Sequence, residues 1–96
     1  MRRAAKIDAN QPEIVKALRS VGATVQPLHQ VGEGVPDLLV GYRRTTYLIE
    51  VKDGAKPPSK RELTPDQVTW HGQWWGGPCL VVNNVSEALA AIGVTA

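Results

Sequence analysis

Three residues in the stretch 34–53, GVPDLLVGYRRTTYLIEVKD, have the types and spacing to do chemistry: Asp37, Glu50 and Lys52. Two apolar runs, Leu38-Leu39-Val40 and Tyr47-Leu48-Ile49 with Val51, flank a Tyr42-Arg43-Arg44-Thr45 connection, the pattern of paired strands joined by a short turn. With Arg43 and Arg44 as the turn, Tyr42 pairs with Thr45, and counting back along both strands sets Asp37 opposite Glu50. Directly opposed side chains have Cβ atoms roughly 4.5–5.5 Å apart. Glu50 and Lys52 are two residues apart, so they share the strand face that Asp37 also occupies. A four-residue turn would keep this parity, whereas a three-residue turn would put Asp37 and Glu50 on opposite faces.

Two carboxylates held that close repel unless something neutralises them, and a hard divalent cation with oxygen ligands does so most simply. The ammonium of Lys52 adds positive charge beside them. The combination predicts a metal-assisted hydrolytic centre, with the cation activating a water and the lysine orienting the nucleophile or stabilising charge. The competing reading is a hairpin whose exposed face carries scattered, solvated charges. Against it, Leu38, Val40, Ile49 and Val51 look like a buried strand pair, where unpaired charge is costly.

Pro36-Asp37, then twelve residues, then Glu50-Val51-Lys52 resembles the PD-(D/E)xK nuclease superfamily. More narrowly, Gly34-Val35-Pro36-Asp37-Leu38-Leu39 with Glu50-Val51-Lys52 and the later Leu63-Thr64-Pro65-Asp66-Gln67 resembles the small stand-alone VRR-NUC nucleases, often carried by phages and prophages. The resemblance runs over residues 8–91. It implies metal binding by Asp37, Glu50 and the Val51 carbonyl, with Mg²⁺ or Mn²⁺ as the cofactor and Lys52 acting on the water. It also implies a further carboxylate from the first helix, here Glu13, and a glutamine, here Gln67, pointing at the centre. Both have a second reading in the residues themselves, as helix caps.

The elements that must position these groups can be read along the chain. Ile14, Val15, Ala17, Leu18 and Val21 have helical spacing, stopped by Gly22, which predicts a helix over 11–21 with Asn10 as N-cap and Glu13 as its capping-box partner. Residues 23–30 alternate through Val25 and Leu28 and predict a first strand, bent or interrupted at Pro27. His29 at its end is a structural residue or a contact near DNA or metal. Glycines at 32 and 34 permit close backbone approach to a ligand, and Glu33 between them is a candidate auxiliary acid.

After Asp53 comes a proline-broken loop with Lys56, Ser59, Lys60 and Arg61, a candidate phosphate-contact element. Arg2 and Arg3 in a basic N-terminal arm are candidates for the same role. Thr64 is a strong cap, with Pro65 at N1 and Gln67 at N3, for a helix over 65–75. That helix carries Trp70, His71 and Trp74. Trp70, Trp74 and Trp75 are the 3 tryptophans of a chain with no phenylalanine, expected in core packing or a dimer face, with base stacking the alternative. Cys79-Leu80-Val81-Val82 predicts a short buried strand, central or parallel. Nothing basic lies beside Cys79 in sequence to activate it as a nucleophile. Asn83 or Asn84 starts a last helix, with Glu87 at N3 of an Asn84 cap.

The order helix, three strands, helix, strand, helix predicts an α/β fold: the restriction-endonuclease-like αβββαβ core, a mixed sheet flanked by helices, with one C-terminal helix added. At 96 residues the expectation is a single domain, small enough to profit from self-association. Net charge of +2 and a pI near 8.9 permit nucleic-acid binding without announcing it. The single cysteine excludes an intramolecular disulfide framework. No apolar run approaches a membrane span and the basic N-terminus lacks a signal peptide's apolar segment, so a cytoplasmic location is expected, in a bacterial or phage-infected cell. The expected function is a metal-dependent endonuclease on DNA, by resemblance structure-specific for branched DNA such as four-way junctions, acting as a homodimer. The alternatives are a DNA-binding or assembly module with a relic site, and a nuclease on RNA or another substrate.

Overall fold

The computed structural model describes residues 7–95; Arg2 and Arg3 of the basic arm lie outside them. Helix α1, Gln11–Ser20, buries Ile14 and Leu18 completely, one turn apart on one face. It ends in a Schellman arrangement, with Gly22 at φ 95°, its N–H donating to Arg19 O at 3.0 Å and the Ala23 N–H donating to Leu18 O at 3.1 Å. The expected Asn10 and Glu13 capping box does not form. Asn10 already has helical backbone angles and its side chain caps nothing in its own helix. Its Nδ2 instead donates at 3.0 Å to both Lys52 O and Asn83 O, carbonyls that lie just past the ends of two neighbouring strands. A buried carbonyl without a donor costs more than a helix N-terminus left to water, so the tertiary demand prevails.

Strands β1 (Thr24–Pro27), β2 (Leu38–Tyr42) and β3 (Thr45–Val51) form an antiparallel meander, and β4 (Cys79–Val82) joins β3 in parallel, giving a mixed sheet in the order β1-β2-β3-β4. The hairpin turn has two residues. Tyr42 pairs with Thr45, and Arg43 and Arg44 take φ values of 48° and 65°, the positive pair that a twist-matched two-residue turn requires. Two arginines are unusual there, because a Cβ disfavours this region. The Arg43 guanidinium lies 5.2 Å from the Tyr42 ring centroid, a contact that recovers part of the cost.

Alternation then sorts the sheet's two faces. Val25, Val40, Leu38, Ile49, Val51 and Val82 point to one side, where they form the core with Ile14 and Leu18 of α1 and with Ala88 of the last helix, α3 (Val85–Ala91). Asn84 caps α3 through its Oδ1, which accepts the Glu87 N–H at 2.8 Å, as expected for that helix start. The opposite face carries Glu50 and its neighbours. It is met by helix α2 (Pro65–Gln73), which ends at Gln73 with Trp74 as its cap residue.

Two expectations hold only in part on this side. Strand β4 is parallel to β3, one of the two placements expected, but it is an edge strand and not a fully buried one, with Val82 buried and Val81 42 % exposed. Of the two placements expected for the tryptophans, core packing or a dimer face, the core is ruled out for Trp74 and Trp75. Trp74 is 41 % and Trp75 100 % exposed, while Trp70 and Trp74 stack at 5.1 Å on the outside of the helix. No residue of α2 is buried.

What holds the start of α2 is backbone contact. Gly34, at φ 83°, lies so close to the Asp66 carbonyl that a Cβ there would collide with it. Gly34→Ala should therefore destabilise the fold by at least about 1–2 kcal/mol through the left-handed backbone alone, with added loss from displacing α2. The check is a thermal melt alongside tryptophan emission, which reports on the helix.

Candidate active site

Continuing the β2–β3 register one step beyond the Leu38–Ile49 pair sets Asp37 against Glu50, the pairing that counting from the turn had predicted. Both carboxylates are nearly inaccessible, Asp37 at 5 % and Glu50 at 2 %, and Lys52 is 8 % exposed. Asp37 Oδ2 accepts the Val51 N–H at 2.7 Å. Val51, expected to offer its carbonyl, thus also anchors Asp37 through its N–H. Pro36, buried ahead of it, and the Leu28 N–H, donated to Asp37 O at 2.7 Å, fix the backbone.

Gln67 ties the centre to α2. Its Nε2 donates to Glu50 Oε2 at 3.1 Å, and its Oε1 accepts from Lys52 Nζ at 2.7 Å. The same Oε1 accepts the Thr64 N–H at 2.9 Å, and Thr64 Oγ1 accepts the Gln67 N–H at 3.3 Å, so the capping box is complete as well. Capping and pointing at the site had looked like competing uses of one side chain. They coexist because the amide has separate acceptor and donor ends, and its oxygen has two lone pairs.

Burial raises the Glu50 pKa first, then the hydrogen bond and negative charge of Asp37, and together they push it up to about 9. Without a cation, Glu50 is a neutral acid near pH 7. Its Oε1 is buried with no hydrogen-bond partner. His71 Nε2 lies 3.6 Å from it, itself buried and unpartnered, and too far for a hydrogen bond. Burial, followed by the Lys52 charge, lowers the His71 pKa, so the contact joins two neutral groups. His71 Nδ1 lies 3.5 Å from Cys79 Sγ. Burial and the charge of Glu50 raise the Cys79 pKa, which keeps it a thiol and removes it as a nucleophile.

The other expected residues are scattered. Glu13 is exposed on α1 and makes no hydrogen bond or ion pair in the centre. The carboxylate from this region whose charge reaches the site is Asp8. Burial raises its pKa, Lys56 lowers it and Asp37 raises it further, and it in turn acts on Glu50. Lys56 is engaged with Asp8 at 3.8 Å. Ser59 and Lys60 are exposed on a short 3₁₀ turn, Pro58–Lys60, and Arg61 follows it, half-buried, with its Nε unpartnered. Glu33 is exposed at φ 60° in the loop before Pro36.

Asp8 was missed by sequence reasoning, because it precedes the helix with no periodicity to mark it. His71 lies four residues after Gln67, on the same helical side by periodicity, but that spacing alone assigned it no role at the site.

The donor set suits a hard divalent cation: buried carboxylate oxygens, one of them without a partner. Among the described residues no cluster of three or more His, Cys, Asp or Glu side chains converges as a cage. Two carboxylates and few other protein ligands are what a cation that keeps its waters takes.

No family model matches the sequence, and no curated protein is similar to it. Among solved structures the chain is similar to one described as a "VRR_NUC domain", with 26 % identity and a TM-score of 0.63, over 88 % of this chain and 96 % of that one. The likeness takes in the αβββαβ order, the mixed sheet and the terminal helix. The chain is thus similar in fold to a VRR_NUC domain, in keeping with the resemblance of its Pro36-Asp37 and Glu50-Val51-Lys52 residues to the PD-(D/E)xK superfamily.

Proposed function

We propose that the protein is a nuclease that hydrolyses DNA phosphodiester bonds with Mg²⁺ or Mn²⁺, and that Asp37, Glu50 and Lys52 carry the reaction. The observation that supports this most is the buried pairing of Asp37 with Glu50 beside Lys52, with Gln67 bridging the last two. A charge arrangement so costly in isolation fits a centre completed by a cation.

Asp37, Glu50 and the Val51 carbonyl would hold the metal, with Asp8 in place of Glu13 as the additional carboxylate. When bound, the cation supplies Lewis acidity to the scissile phosphate and lowers the pKa of the attacking water. Lys52 stabilises negative charge developing on the phosphate oxygens and orients the water. Gln67 keeps the ammonium and the Glu50 carboxyl apart and aligned. His71 closes the site behind Glu50. Lys60 and Arg61 meet the backbone phosphates outside the centre, and Lys56 joins them when it leaves Asp8.

The proposed substrate is branched DNA such as a four-way junction, cut by a homodimer, because two sites related by a two-fold suit paired incisions. The exposed Val68, Trp74, Trp75 and Val81 around α2 and the β4 edge are candidates for the dimer face.

Three measurements test this reading. Labelled junction, flap and duplex DNA should be cut with Mg²⁺ or Mn²⁺ and spared with EDTA, and Asp37→Ala and Lys52→Ala should each lower the rate by at least about 100-fold. Junction binding without cutting by the folded wild type would favour a relic binding module.

The second is stability against pH. A Glu50 pKa raised from 4.5 to about 9 means the folded state holds a proton that the unfolded state releases, so metal-free stability should fall as pH rises through that window. The slope is at most about 1.4 kcal/mol per pH unit, and Glu50→Gln should flatten it. Added Mg²⁺ should raise the melting temperature more at pH 8 than at pH 6, since metal takes the ionised carboxylate.

Third, Trp75→Ser should leave the melting temperature of a monomer nearly unchanged, since the side chain is 100 % exposed. It should weaken self-association measured by light scattering.

A further inference from the structure

The far end of the β2–β3 hairpin carries residues that the fold itself does not call for. Both turn residues take left-handed backbone angles, Arg43 at φ 48° and Arg44 at φ 65°, where Asn-Gly makes the same turn without the penalty of a Cβ. Strained backbone of this kind gathers where a residue is kept for its side chain. Gly41 is a second such feature. It sits inside β2 without a positive φ, and a Cβ built there would meet nothing nearer than Thr24 Cβ at 3.9 Å, an ordinary contact. Glycine weakens a strand, and where packing does not require it, it marks a close approach of something else to the chain.

The sheet register brings the two together. Gly41 pairs with Thr24 of β1 on one side and with Thr46 of β3 on the other, so this row is bare backbone between two exposed threonines. With Tyr42, Thr45 and the two exposed arginines, it lines a hollow of about 380 Å³. Two guanidinium groups and three hydroxyls border that hollow, and among the described residues no carboxylate does. Such a lining suits a phosphate, whose oxygens accept from guanidinium and hydroxyl donors. A side chain at position 41 would stand where the anion sits.

The alternation that directs Glu50 also directs this row. Thr46 precedes Glu50 by four residues, so the two stand on the same face of the sheet, about 14 Å apart along β3. Between them on β1 and β2 lies one row, Gln26 with Leu39, and both of these are exposed. A nucleic acid that places one phosphate at the carboxylates and runs along this open side therefore has others to offer the hollow, since each strand of a duplex carries one per about 3.4 Å of axis. We infer that the notch at Gly41, between Thr24 and Thr46 and beside Arg43 and Arg44, seats a backbone phosphate of the substrate away from the cut. The identity of the polyanion rests on the nuclease reading above.

The test uses the full chain in EDTA, so that binding is read without metal or cleavage. Inorganic phosphate should move the amide signals of residues 24, 41, 43, 44 and 46. Arg43→Asn combined with Arg44→Gly gives the turn its favoured residues, so the melting temperature should hold or rise. Affinity for labelled junction and duplex DNA should nevertheless fall at least about ten-fold, and the slope of log K against log salt should lessen by about one. Gly41→Ala should likewise hold or raise the melting temperature while weakening both phosphate and DNA binding. A purely structural role for these residues cannot produce weaker binding in a protein of undiminished stability. Wild-type DNA affinity in both variants, or phosphate shifts confined to other residues, would overturn the assignment. Metal-dependent cutting together with wild-type affinity in both variants would remove the notch and leave the nuclease reading standing. Phosphate shifts at the notch and weakened DNA binding in the variants of a protein that cuts nothing would support the notch while removing the nuclease reading.

Discussion

The structure turns on a repulsion. Asp37 and Glu50 face each other across a β-ladder, both almost fully buried, with one positive side chain, Lys52, beside them. In a purely structural protein such a pair would be replaced by apolar residues, because desolvating two like charges is seldom recovered. Here the fold accommodates it by protonating Glu50, whose pKa rises to about 9, and by giving Asp37 a main-chain N–H. The cost is borne by the rest of the molecule: the other sheet face, α1 and α3 form an apolar core with no such compromise.

That division explains how α2 sits. A helix cannot cover a charged sheet face with leucines, so α2 is attached through Gln67, the contact of His71 with Cys79 and the backbone approach at Gly34. None of its residues is buried. Its placement therefore depends on the state of the centre. The Gln67 amide donates to Glu50 and accepts from Lys52, and ionising Glu50 strengthens the first of these bonds. Cation binding would in this way tighten α2 as well as fill the site.

Much of this was legible in advance, for local reasons. The hairpin register follows from a two-residue turn and a period of two, so one pairing, Tyr42 with Thr45, determines every other down to Asp37 and Glu50. The Thr64-Pro65-Asp66-Gln67 start of α2 is written within one turn of chain and formed as expected. What could not be read depends on encounters between distant segments. Asn10 looks like a cap until two strand-end carbonyls arrive, and Asp8, whose charge acts on Glu50, lies before the first helix where no periodicity marks it. The tryptophans mislead in the same way. Size alone argues for burial, but their helix meets the sheet with its polar side.

The exposed side of α2 and the open edge of β4 leave a chain of 96 residues with one sheet face fully covered and the other covered in part. A domain this small has little apolar area to spare. A sheet edge with a half-exposed Val81 beside a fully exposed Trp75 is also an invitation to association. The polar face cannot be sealed from within, since any apolar cover would bury the charges of the centre without a partner. On the proposed reading, covering it would fall to what binds there: a second copy along the edge, and a polyanion with its counter-cation over the carboxylates. The incomplete packing of this face and the chemistry of its residues are thus one design decision, and the core on the far side is what makes it tolerable.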